Sequence, residues 1–182
     1  YQEAASATTT LAQEDVDWLG IHATRINAHL LRSILRDHAE AKIVTDPSKE
    51  VHMRKPILIA AGWKPGWSTD YCATMLATQV GAKSIINLSN IDHVYDKDPR
   101  KYKTAKPLLE VSWIAFRNII PSTWSPGMNT PFDPVAARLA QRNHLEVAII
   151  NGAHLGRMQE YIRTGRTVGT IIKEKKKKNQ PM

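Results

Sequence analysis

Apolar residues recur at helical spacing near the start of the chain. Val16, Leu19, Ala23, Ile26 and Leu30 follow one another at intervals of three or four residues. This spacing places apolar side chains on one face of a helix and polar side chains on the other. It predicts a long amphipathic helix over residues 14–36.

The rest of the chain alternates between short apolar runs and helical patterns. Strands are predicted at residues 56–61, 84–88, 145–150 and 168–172. Helices are predicted at residues 69–80, 111–120, 134–143 and 155–162. Such alternation is typical of a largely parallel sheet covered by helices on both faces. The pattern has no internal repeat, so we expect one domain over residues 1–172 and a basic, disordered tail over residues 173–182.

Composition narrows the class of protein. Apolar residues make up 42% of the 182 positions and charged residues 23%, a balance typical of soluble globular proteins. No apolar run is long enough to span a bilayer, and no secretory leader is recognisable. Cys72 is the only cysteine, and the histidines form no metal-binding pattern, so we expect no disulfide, no metal ligands and a cytoplasmic location.

The net charge of +8 raises the question of a nucleic-acid partner. Lys173–Lys178 contains five lysines and one glutamate, which account for half of that charge. A solvated tail is the preferred interpretation, and the remaining body is only mildly basic. We therefore expect no nucleic-acid partner, although a basic nucleic-acid-binding protein stays an alternative.

Two polar loops follow predicted strands and carry the candidate chemistry. In the first, Gly62 and Gly66 allow a ligand to approach the backbone, and Ser68 supplies a hydroxyl where a helix begins. Asp70 lies in the first turn of that helix. Backbone amides at the start of a helix form a natural anion site. A capped turn with two packing tryptophans is the alternative.

The second loop follows the strand predicted at residues 84–88. Ser89, Asn90 and Asp92 supply polar groups just past the strand end. Tyr95 offers an aromatic face, and Asp98 offers a carboxylate acceptor. A purine base and a ribose require such groups, although a polar hairpin would also use them.

Taken in order, five segments resemble the uridylate (UMP) kinases of the amino acid kinase superfamily. They are D-W-L-G-I-H-A-T-R-I-N-A at 17–28, G-W-K-P-G-W-S-T-D at 62–70, S-N-I-D-H-V-Y-D-K-D-P at 89–99, F-D-P-V-A-A at 132–137 and V-G-T-I-I at 168–172. The resemblance implies an α/β fold, a three-layer α/β/α sandwich with a mainly parallel central sheet that lacks its N-terminal strands.

The resemblance also implies a reaction and its site residues. The reaction would transfer the γ-phosphate of ATP to UMP with Mg²⁺, in pyrimidine nucleotide biosynthesis, and the protein would be a homo-oligomer, as a hexamer. Asp70 would organise the catalytic groups, and Ser89, Asn90, Tyr95 and Asp98 would bind ATP. The residues implied in UMP binding are Asp17, Ala61, Gly62, Trp63, Lys64, Pro65, Gly66, Trp67 and Ser68. Apart from the resemblance, Arg25 is expected to contact a phosphate or an interface, or to be a solvated charge on the helix face.

The chain departs from the family pattern at the loops and at the front. Trp63 replaces a threonine, Trp67 adds a second indole, and His93 replaces a glycine, which would strain His93 if that position requires a positive φ. The family's glycine-rich loops and lysine for the phosphates are not found before Tyr1. We therefore expect a fragment lacking roughly 60–80 residues, which alone transfers phosphate poorly.

Two further alternatives to a UMP kinase stay open beside the nucleic-acid-binding protein. One is a sibling kinase of the same fold whose acceptor is an amino acid, carbamate or isopentenyl phosphate. The other is a non-catalytic nucleotide-binding protein like the molybdenum-storage subunits, which resemble UMP kinases and also end in V-G-T-I-I.

Overall fold

The computed structural model describes residues 1–123 and 130–175. Within these ranges the chain forms two compact units, residues 1–80 and residues 81–123 with 130–175. No helix in these ranges combines the length and the apolar character that crossing a membrane requires.

Three helices make up most of the first unit: α1 (Gln2–Ser6), α2 (Gln13–Ile34) and α3 (Thr69–Gln79). α2 confirms the amphipathic helix predicted over residues 14–36, and it buries Ile21 and Ala28. Ala28 belongs to a small apolar core with Ala39 and Ile59. α3 confirms the helix predicted after the first loop.

The strand predicted over residues 56–61 is wrong as a continuous element. Two isolated parallel bridges replace it, Ala39 with Ile57 and Val44 with Ala60. Five positions separate Ala39 from Val44, whereas three separate Ile57 from Ala60. The partner segment therefore bulges between the bridges, which breaks the regular register that a strand needs.

The second unit contains nine elements: β1 (Ser84–Ser89), β2 (Val94–Tyr95), β3 (Pro107–Leu108), β4 (Glu110–Ser112), α4 (Trp113–Ile119), α5 (Pro134–Arg142), β5 (Glu146–Asn151), α6 (Leu155–Thr164) and β6 (Thr170–Lys173). Four strands form a sheet in the order β1-β5-β6-β4. β1 is parallel to β5 and β4 is parallel to β6, whereas β5 and β6 are antiparallel. The sheet is thus mainly parallel, as predicted, and β2 and β3 form a separate antiparallel ribbon.

The helix predicted over residues 111–120 begins later than expected. Val111 lies in β4, where it pairs with Ile172 of β6. Ser112 then caps α4, because its Oγ accepts a hydrogen bond from the Ala115 amide at 3.3 Å. The first two residues of the predicted helix, Val111 and Ser112, therefore belong to the sheet.

The core of the second unit is built around β5 and α4. Residues 147–150 of β5 are fully buried, as expected for a strand covered on both faces. Trp113 is also fully buried, and its Nε1 donates to the Leu145 carbonyl at 3.0 Å. Asp133 caps α5 as predicted, accepting from the Ala136 amide at 3.1 Å. The basic tail predicted from position 173 begins inside β6, and residues 176–182 lie outside the described residues.

Candidate functional site

The first predicted site is the loop of residues 61–68, here called the acceptor loop, which ends where α3 begins. Ser68 is the N-cap of α3, and its Oγ accepts from the Tyr71 amide at 3.1 Å. Gly66 has a φ of +85° with open space where a Cβ would stand. Its backbone conformation, and not crowding, therefore favours glycine.

Asp70 lies in the first turn of α3, where the helix dipole stabilises a carboxylate. Its carbonyl accepts a hydrogen bond from Thr74 Oγ1 at 2.8 Å, one turn further along the helix. The structure thus places Asp70 two residues after the acceptor loop, as the sequence indicates. The catalytic role of this residue stays a prediction.

Three aromatic rings form a row along the acceptor loop and the start of α3. The ring centroids of Trp63 and Trp67 are 5.6 Å apart, and those of Trp67 and Tyr71 are 4.4 Å apart. The Lys64 ammonium lies 4.3 Å from the centre of the Trp63 ring. Such rings can stack on a flat base, and an ammonium can pair with a phosphate. Tyr71, four residues after Trp67, is not identified by the sequence pattern.

Asp17 lies on α2, and its Oδ1 accepts from Gln13 Nε2 at 3.0 Å on the same helix. About two turns further along α2, Thr24 accepts a hydrogen bond from the acceptor loop and Arg25 donates one to it. From the sequence, Arg25 is expected to contact a phosphate, an interface or solvent. In the structure, the Arg25 guanidinium donates to backbone carbonyls of the acceptor loop.

The second predicted site lies in the second unit and follows β1. Ser89 is the last residue of β1, and its carbonyl accepts from the Gly152 amide at 2.8 Å. Asn90 follows and is exposed, and Tyr95 lies in β2 opposite Pro107. These predicted residues therefore lie where β1 ends and in the ribbon that follows it.

The carboxylate of Asp98 is engaged with a neighbour in the sequence. Its Oδ1 accepts from the backbone amide of Arg100 at 2.9 Å and from the Arg100 Nε at 3.2 Å. The backbone hydrogen bond, followed by the bond from the guanidinium, lowers the pKa of Asp98. Asp98 thus organises a local turn, and its predicted contact with a ribose stays a prediction.

Asp92 joins the second loop to the segment that follows β5. Its Oδ1 accepts from Arg157 at 2.6 Å and from Asn151 at 3.3 Å. The hydrogen bond from Arg157 is the main cause that lowers the pKa of Asp92, and the bond from Asn151 adds to it. Arg157 and Asn151 lie 65 and 59 residues further along the chain, so no local pattern could identify them.

His93 stands where the family pattern has a glycine, but its backbone does not require one. In the described part of the chain, His144 is the only non-glycine residue with a positive φ. The strain expected if position 93 required a positive φ is therefore absent. The His93 Nδ1 lies 3.1 Å from the Gly169 carbonyl oxygen, and it must be the donor because a carbonyl only accepts.

Comparison with known proteins gives consistent similarities. The model of the Amino acid kinase family matches residues 2–151. The uridylate kinase of Sulfurisphaera tokodaii is 32% identical over 161 residues, covering 86% of this chain and 71% of that protein. The uridylate kinase of Pyrococcus abyssi is 36% identical over 160 residues, covering 86% and 70%. The chain thus spans about 70% of the length of these relatives.

Solved structures are similar over most of the chain. The crystal structure of uridylate kinase from Archaeoglobus fulgidus has a TM-score of 0.74 and 28% identity, covering 94% of this chain and 78% of that one. The UMP kinase of Bacillus anthracis has a TM-score of 0.67 at 22% identity, covering 91% and 72%. The second likeness supports the fold alone.

Proposed function

The chain belongs to the amino acid kinase family, in which its relatives are uridylate kinases, and we propose that it transfers the γ-phosphate of ATP to UMP. The bond between the γ-phosphorus and the β–γ bridging oxygen breaks, and a UMP phosphate oxygen bonds to that phosphorus, giving ADP and UDP. The observation that carries this proposal is the match to uridylate kinases at 32% and 36% identity over about 70% of their length. ATP and UMP as substrates suit a cytoplasmic location.

UMP is assigned to the acceptor loop together with Asp17 of α2. Phosphoryl transfer depends mainly on positioning and on neutralising charge. The amides at the start of α3 suit an anionic phosphate, and the Lys64 ammonium adds a positive charge beside them. The aromatic row offers flat surfaces against which the uracil base can stack.

Asp70 is the proposed organiser of the catalytic groups. Mg²⁺ in kinases binds through one or two carboxylates and the substrate phosphates, and keeps several waters. The described residues hold no group of three or more His, Cys, Asp or Glu suited to a metal. One carboxylate at the start of α3 fits this mode of binding, and Mg²⁺ would neutralise phosphate charge when it is bound.

ATP is assigned to the second loop through Ser89, Asn90, Tyr95 and Asp98. Tyr95 lies in β2 and supplies an aromatic face for the adenine. Asp98 is ionised at neutral pH, as an aspartate ordinarily is, and its lowered pKa keeps it so in mild acid. An ionised carboxylate accepts hydrogen bonds from ribose hydroxyls. The ribose is therefore the group assigned to Asp98.

We also propose a homo-oligomer, with the hexamer of the resemblance as the expected state. α2 exposes Ile26, Leu30 and Ile34, each 59% or more accessible, at intervals of four residues. An exposed apolar row of this length marks a protein interface, and a second copy of the chain is the partner that we assign to it. Leu30→Glu should lower the molar mass measured by light scattering, and an unchanged mass would contradict this.

The function is tested by a coupled assay with ATP, Mg²⁺ and single acceptors, using the protein at its natural length. We expect turnover with UMP, and a fall in kcat of about 100-fold or more in Asp70→Asn. Asp37→Asn, an exposed carboxylate of the same unit, is the matched control. Turnover of a different acceptor without UMP would favour a sibling kinase. Bound oxometalate with no turnover would favour a storage protein.

A further inference from the structure

Thr24 of α2 holds the backbone amide of Gly62 in the acceptor loop. The Gly62 amide donates to Thr24 Oγ1 at 2.8 Å, and the same hydroxyl donates to the Ile21 carbonyl at 2.7 Å. The hydroxyl thus accepts from the loop and donates to its own helix. Because Gly62 is buried, removing this partner would leave its amide without a hydrogen bond and would destabilise the folded loop.

Arg25, the next residue, holds the carbonyl side of the same loop segment. Its Nη2 donates to the Trp63 carbonyl at 2.9 Å, and its Nε lies 3.4 Å from the Gly62 carbonyl as a second, longer hydrogen bond. The guanidinium carbon lies 5.7 Å from the centre of the Trp18 ring. A planar guanidinium can serve two carbonyls and contact an aromatic ring, whereas an ammonium lacks this geometry.

Gly62 lies so close to α2 that a side chain would not fit without movement. A Cβ at this position would be 3.0 Å from Thr24 Oγ1 and 3.3 Å from the Ile21 Cα. The close approach brings three backbone groups of residues 62 and 63 within reach of two consecutive helix residues. Glycine at this position, threonine and arginine therefore form one complementary contact.

We propose that Thr24 and Arg25 are positioning residues that fix the acceptor loop for its nucleoside monophosphate. The proposal rests on the assignment of UMP to this loop. Arg25 donates a hydrogen bond to the carbonyl of Trp63. The Trp63 indole is the first ring of the aromatic row, and the Lys64 ammonium lies over it. Loss of the Arg25 contact would therefore release the residues assigned to the acceptor without touching those assigned to ATP.

The kinetic test compares variants of Arg25 in the protein at its natural length. Arg25→Ala and Arg25→Lys should each raise the KM for UMP roughly tenfold, as expected for loss of one charged hydrogen bond, with the KM for ATP changed less than about twofold. Lysine keeps the charge, so a wild-type KM in Arg25→Lys would overturn the geometric role. Arg36→Ala is the control, because Arg36 is exposed and contacts Lys55 through its backbone carbonyl.

A second measurement does not depend on activity. Thr24→Val should accelerate hydrogen exchange of the Gly62 amide by about tenfold or more, whereas Thr24→Ser keeps the acceptor and should preserve the protection. Unchanged exchange of the Gly62 amide in Thr24→Val would overturn the proposal. A wild-type protein that does not phosphorylate UMP would reject the proposed function instead, and the exchange measurement would still decide whether Thr24 fixes the loop.

Discussion

The backbone amide of Val94 donates to Oγ1 of Thr170 over 2.8 Å and joins positions 76 residues apart. The Thr170 hydroxyl in turn donates to the Leu108 carbonyl at 2.5 Å. Val94 and Leu108 pair across the β2–β3 ribbon, and Val94 and Thr170 are both buried. One hydroxyl therefore ties both strands of the ribbon to the start of β6.

Replacing Thr170 by valine should lower the free energy of unfolding by about 1–3 kcal/mol, because a buried amide and a carbonyl lose their partner while the shape is kept. Denaturant unfolding measures the loss, and hydrogen exchange should show the Val94 amide deprotected. Thr170→Ser keeps the hydroxyl and should keep that amide protected. Equal protection of Val94 in the valine variant would contradict the prediction.

Gly169→Ala should destabilise the second unit by about 1–3 kcal/mol. A Cβ at Gly169 would lie 2.4 Å from the carbonyl oxygen of Ile149, which is strand backbone and cannot move freely. Gly156 is the matched control, because it lies in α6 with open space where a Cβ would stand. Gly156→Ala should leave the protein unchanged or stabilise it by up to about 1 kcal/mol, and a similar loss in both variants would contradict the steric explanation.

Breaking the contact between Asp92 and Arg157 should weaken ATP binding more than UMP binding. Asp92→Asn removes the charge that Arg157 contacts at 2.6 Å, so the second loop loses its tie to the segment after β5. We expect the KM for ATP to rise severalfold while the KM for UMP stays near the wild-type value. Equal changes in both KM values would indicate a general loss of structure instead.

The contact between Asp92 and Arg157 also predicts that the stability of the protein falls in acid. The pKa of Asp92 is lowered from 3.8 in the folded protein, chiefly by the Arg157 hydrogen bond. Its contribution to stability is therefore fully present above about pH 4, and it is lost as the pH falls through the lowered pKa. An NMR titration of the Asp92 carboxyl should show a midpoint below 3.8, and a midpoint at or above that value would refute the assignment.

Tyr161→Phe should remove one hydrogen bond at any pH below 10. In alkaline solution it should also change how the free energy of unfolding depends on pH. Burial, together with the Glu146 carboxylate that accepts its hydroxyl at 2.6 Å, raises the pKa of Tyr161 to about 12 from 10.0. The tyrosine therefore contributes stability below pH 10 that is lost as the pH rises towards 12. Urea unfolding across this range should show a slope that Tyr161→Phe reduces and the exposed Tyr102→Phe keeps.

Local signals explain why most of the elements could be predicted. The apolar spacing of α2 and the capping residues Ser68 and Asp133 act within a few positions, so the helix boundaries fall close to those expected. The segment 56–61 failed because a strand requires a partner in register, and register depends on a bulge at residues 40–43 that no local pattern reveals.

The candidate sites follow the same division. The order of the motifs placed the acceptor loop before α3 and the second loop after β1, because those positions are fixed by the neighbouring elements. The partners of these loops could not be predicted, since Arg157 meets Asp92 and Gly169 meets His93 across 65 and 76 residues. Only the structure explains two residues of the V-G-T-I-I motif. Gly169 leaves room for the carbonyl oxygen of Ile149, and the Thr170 hydroxyl accepts a hydrogen bond from the Val94 amide.

β6 runs antiparallel to its neighbour β5, so its first residue, Thr170, lies opposite Ile149 near the end of β5. Through the Thr170 hydroxyl, the start of β6 holds the Val94 amide at the end of the second loop, 76 residues earlier in the chain. Opening of β6 removes this hydrogen bond, so opening of β6 and disordering of that loop are coupled. A ligand that binds only the ordered loop then protects β6 from opening by up to RT ln(1 + [L]/Kd), so a strand that it does not touch would report its affinity.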